Sequence, residues 1–148
     1  MAFMFTEGTK DYIATTPCLA VTFRASGSIT AGKIVQFVSG DNSTDVFQPL
    51  SGTLSGSAVP VAGLALSTVS DGDTCPVLVW GMAKNLTKVV STQTSNPGDL
   101  LFLSGAGNVC SNSWANANAA ISSIACYPIG RVVSGSGTGV VAFISTIK

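Results

Sequence analysis

The side chains best able to do chemistry are thinly spread in this chain: it has no histidine, and its acids are Glu7, Asp11, Asp41, Asp45, Asp71, Asp73 and Asp99. General acid–base work at neutral pH falls to His or to paired carboxylates with displaced pKa values. Only Asp71 and Asp73 stand close, on either side of Gly72. That spacing suggests Ca²⁺ at first sight, but a calcium loop needs a longer ligand series ending in Glu, so turn chemistry is the expected role. Without His, nucleophilic constellations reduce to Ser–Lys variants, and nothing pairs Lys84 or Lys88 with a particular serine. The stretch Ser134-Gly-Ser-Gly-Thr-Gly139 lacks the Gly-Lys-Ser/Thr of a phosphate loop and runs into a strand pattern, so it reads as a hairpin loop. Cys18, Cys75, Cys110 and Cys126 form no Cys-x-x-Cys pair and have no His to complete a zinc site. They are expected to be free thiols, with a disulfide in any of three pairings as the alternative. These residues predict no enzyme, no metal site and no cofactor.

Only 14 of the 148 residues are charged, seven of each sign, while Ser and Thr are abundant. The basic residues Lys10, Arg24, Lys33, Lys84, Lys88, Arg131 and Lys148 are scattered, which argues against contact with nucleic acid. The N-terminus has no basic segment followed by a long apolar run, and no stretch approaches the roughly 20 apolar residues of a membrane span. Synthesis in a reducing cytoplasm and no membrane partner are therefore expected. The sequons Asn42-Ser-Thr44 and Asn85-Leu-Thr87 have no role on that route.

The elements that would position any site are β-strands. From Leu19 onward, short β-type runs alternate with Gly, Pro, Asn, Asp and Ser clusters, the spacing of a sandwich or small barrel. Candidate strands are Leu19–Phe23, Lys33–Ser39, Val59–Thr68, Cys75–Met82, Leu86–Ser91, Leu100–Leu103, Ile129–Val133 and Gly139–Thr146, with Asp45–Gln48 as a possible short one. Asn96-Pro97-Gly98-Asp99 is a type II turn signal, and Ser70-Asp71-Gly72-Asp73 and Thr30-Ala31-Gly32-Lys33 share its grammar of a small polar turn followed by a strand. Residues 40–58 and 111–126 read as long loops, the second with a weak helical turn near Trp114. An N-terminal arm, 1–18, and one all-β domain, 19–148, are the expected organisation. The run Pro76-Val-Leu-Val-Trp-Gly-Met82 is apolar on both alternating faces, Val77 and Val79 on one side and Leu78, Trp80 and Met82 on the other. Both faces must then be covered, by a second sheet layer, the inside of a barrel, or another subunit.

The order of motifs resembles the capsid decoration (cement) proteins of tailed bacteriophages. Ser28-Ile-Thr-Ala-Gly-Lys-Ile-Val-Gln-Phe-Val38 is similar to that family's "AG-x-x-V" strand, and Val61-Ala-Gly-Leu-Ala-Leu66 to its "GxA" segment. Asp71–Met82, Pro97-Gly-Asp-Leu-Leu-Phe102 and Ile129-Gly-Arg-Val-Val133 follow in the family's order, over roughly residues 26–147. The resemblance implies a small β-barrel or β-tulip-like domain and a homotrimer on the outer surface of the virion head, stabilising the capsid by binding the major capsid protein. It also implies an N-terminal arm lying along the shell, with Phe3, Phe5 and Tyr12 as anchors. These three, with Trp80 and Met82, are the candidate capsid or subunit contacts. The alternative is a receptor- or glycan-binding module of a phage tail or fibre that uses the two long loops.

Overall fold

The computed structural model describes residues 15–38, 45–48, 61–87, 95–103, 107–111, 128–136 and 139–146. Phe3, Phe5 and Tyr12, and most of the two long loops, lie outside them. Nine strands are described: β1 (Thr15–Ala25), β2 (Ile34–Phe37), β3 (Asp45–Phe47), β4 (Val61–Ala65), β5 (Thr74–Thr87), β6 (Leu100–Leu103), β7 (Val109–Ser111), β8 (Gly130–Ser136) and β9 (Gly139–Ser145). They form one sheet in the order β1-β3-β2-β4-β5-β9-β8-β6-β7, and an additional β1–β5 pairing closes the first five into a barrel. The all-β class expected from turn grammar and β-branched runs is the class observed.

Strand β5 joins the two halves. It pairs with β1 and β4 around Val77 and Leu78, then with β9 from Trp80 to Thr87. The sequence reads this stretch as two strands, Cys75–Met82 and Leu86–Ser91. Cys75–Met82 and the described start of the second, Leu86–Thr87, lie on one strand, because a register shift between Ala83 and Leu86 absorbs the polar Lys84-Asn85 step without ending the ladder.

Two apolar cores follow. One fills the barrel, with Ala25, Val35, Val46, Ala62, Cys75, Val77 and Val79 among its buried side chains. The other lies between the barrel's outer wall (Ile34, Leu64, Leu78) and the rest of the sheet, which contributes Ala83, Leu86, Leu101, Val132, Val140, Ala142 and Ile144. That division explains the doubly apolar run: Val77 and Val79 face the barrel interior while Leu78 faces the second core.

The turns behave as their residues dictate. Asp99 N–H donates to the Asn96 carbonyl across Pro97-Gly98, with Gly98 at φ 92° as a type II turn needs. The same closure joins Asp73 to Ser70 and Lys33 to Thr30. Two of these turns face each other, since Ile29 and Val69 exchange both backbone hydrogen bonds.

Gly63, in the "GxA" segment, sits where β4 presses on β5. A Cβ there would lie 2.2 Å from the Leu78 carbonyl oxygen and 2.8 Å from Val77 Cγ1. The glycine is a condition of barrel closure rather than of a turn.

Candidate functional site

Three of the four described acids are engaged in holding turns. Asp71 accepts from Gly27 N–H at 2.7 Å, Asp73 from Ser70 N–H at 3.2 Å, and Asp99 from Asn96 N–H at 2.9 Å. Asp45 pairs with Arg24 at 3.9 Å, an exposed contact worth little. Among the described residues no three His, Cys, Asp or Glu side chains gather as a metal site. The turn role expected of Asp71 and Asp73 is therefore the one the structure gives them. Cys75 is buried and Cys18 is half-buried.

Lys33 stands out among the bases. Its ammonium donates to Asn108 Oδ1, and partial burial lowers its pKa below the ordinary lysine value. The bond ties the β6–β7 connection to the start of β2. Gly107 lies over the same point, where a Cβ would meet the Ile34 carbonyl oxygen at 2.8 Å. This is a clasp between the barrel and the outer sheet.

What the strands assemble instead is an apolar surface. The β1–β5 register pairs Leu19 with Trp80 and Ala20 with Leu78, leaving Val79 as an extra residue on β5. This bulge reverses the alternation of the strand. Trp80 and Met82 therefore leave the side of Leu78, where strict alternation had placed them, and share a face with Val77, which lies opposite Val21. The sequence-based assignment of Leu78, Trp80 and Met82 to one face is corrected by this single inserted residue.

The face continues across the sheet by direct cross-strand neighbours. Met82 opposes Phe143, Phe143 opposes Arg131, and Arg131 opposes Leu100. Trp80 packs edge-on against Phe143, with ring centroids 5.0 Å apart and planes at 89°. Leu19 is 45% exposed and Val21 38% exposed, and Trp80, Met82, Phe143 and Leu100 are half-buried. The only charged side chain in this succession, Arg131, is exposed and donates from Nη1 to the Gly98 carbonyl. The result is an apolar strip over β1, β5 and β9, about 10 Å across at the usual strand spacing, with Arg131 on β8 standing between it and Leu100 on β6. Leu19, Val21, Phe143 and Leu100 were not singled out from sequence. Their membership follows from register, and alternation along a single strand carries no trace of it.

No protein-family model matches the chain. No curated protein sequence matches it. Among solved structures, the chain is similar to the crystal structure of the head fiber gp8.5 N base in bacteriophage phi29, at 17% identity and a TM-score of 0.46, over 88% of this chain and 96% of that one. An overlap this loose assigns no function to the chain.

Proposed function

We propose that this chain is a structural virion protein that decorates a bacteriophage capsid, binding the major capsid protein as a homotrimer through the strip of Leu19, Val21, Trp80, Met82 and Phe143. The observation that carries the proposal is that strip: an apolar surface built by register across β1, β5 and β9, on a barrel where three of the four described carboxylates are engaged in turns. Burying such a surface contributes about 25 cal/mol per Å² before the costs of association. Repeated over one shell, modest contacts add up through avidity. The order of the "AG-x-x-V", "GxA", "GD-x-L" and "IGR-V" segments supports the same reading, and in it Phe3, Phe5 and Tyr12 are further contacts.

The test is sedimentation of the purified protein with empty heads of the parent phage, paired with light scattering of the protein alone. Pelleting with heads and a trimer mass support the proposal. A monomer at all concentrations that stays in the supernatant refutes it.

A further inference from the structure

We propose that the chain's own N-terminal segment, Met1–Ala14, docks on the apolar strip of the same molecule before assembly and sheathes it. The proposal rests on the reading of that strip as the binding surface for its purpose, while the docking itself is a property of the isolated chain.

Three observations point to this occupant. The first is where the segment joins the fold: Thr15 opposes Met82, so the chain enters β1 at the border of the strip. The second is reach. The nine residues Thr6–Ala14 span up to about 30 Å when extended, more than the strip's width, and Gly8 permits a reversal among them. Phe5 and Phe3 can therefore arrive anywhere between β1 and β6.

The third is chemical pattern. In Phe3-Met-Phe5-Thr-Glu7 the two rings and the carboxylate alternate, the spacing that puts them on one side of an extended segment. The strip offers the complement: half-buried Trp80, Met82 and Phe143, flanked by exposed Arg131. An apolar pair with one acid fits an apolar strip with one base. A segment tethered this closely acts at an effective concentration of order millimolar, so weak contacts suffice for occupancy. A chain with 46% apolar residues and no net charge thereby gains cover for its stickiest face while it waits for a partner.

The test uses the full chain carrying Trp114→Phe, which leaves Trp80 as its one tryptophan. Acrylamide quenching of Trp80 is compared between this protein and the same protein with Phe3→Ser and Phe5→Ser, each over a dilution series. The expected result is stronger quenching and red-shifted emission in the serine variant, with protection in the parent unchanged by dilution. Equal quenching in both overturns the proposal. So does protection that is lost on dilution, which assigns the cover to a second copy. Either failure is independent of whether the protein binds heads.

Discussion

Replacing Gly63 with alanine tests the closure of the barrel. The new Cβ would meet the Leu78 carbonyl oxygen at 2.2 Å and Val77 Cγ1 at 2.8 Å, and the first of these is backbone and cannot rotate away. Strand β4 must then withdraw from β5 by about an ångström, at an overpacking cost of roughly 1–3 kcal/mol. The backbone at φ 156° adds about 1–3 kcal/mol for a residue with a side chain. The combined loss, near 4 kcal/mol, is a large part of the roughly 5–15 kcal/mol expected of a whole domain. It corresponds to a fall in Tm of about 8–16 °C at this chain length. The control is Gly27→Ala, where φ is 90° but nothing lies within 4 Å of the added methyl, so only the backbone cost applies. Urea unfolding of the two variants should differ by roughly 2 kcal/mol, read as a shift in midpoint at constant slope. Equal losses would refute the close approach of β4 to β5, and with it the account of why this position is glycine.

The strip makes a different demand on mutants. Leu19→Asp combined with Val21→Asp should change the unfolding free energy by no more than about 0.5 kcal/mol per site, since both side chains are exposed, yet abolish head binding and self-association. Loss of folding with loss of binding would show a packing role instead. At Lys33, the folded pKa is lowered, so the unfolded chain holds more protons between that lowered value and the ordinary 10.5. Stability attributable to this residue should therefore rise with pH through that alkaline window, and Lys33→Met should remove that part of the slope in a denaturant series. Asp99→Ala leaves Asn96 N–H without its side-chain acceptor and should cost about 1 kcal/mol by thermal unfolding.

Local features were legible in the sequence. Leu100–Leu103 is a strand with the expected bounds, and Asp45–Phe47 is the short strand anticipated within a loop. The type II turn at Pro97-Gly98 and the turn roles of Asp71 and Asp73 follow from residue chemistry alone. Strand β1 begins at Thr15, four residues before the expected Leu19, because pairing with β5 recruits the Thr-Thr-Pro-Cys stretch that has little apolar signal of its own. Strand β7, Val109–Ser111, was missed for a related reason: three residues carry no period, and only the hairpin with β6 makes them a strand. The candidate surface was half legible. The run Val77–Met82 announced two covered faces, but the Val79 bulge, which decides where Trp80 and Met82 point, depends on β1 and leaves no mark in β5. Contacts between distant segments, such as Lys33 to Asn108, were beyond any reading of local pattern.

The central claim is that the strip of Leu19, Val21, Trp80, Met82 and Phe143 is the surface by which this protein is held in place. Imaging of purified particles at a resolution that traces β5 and β9 tests it directly. The account predicts density for the chain on the head, with Trp80 and Phe143 turned toward the shell or a neighbouring copy and buried there. A particle whose bound chain turns that strip to solvent, or one that carries no such chain on its head, would contradict it.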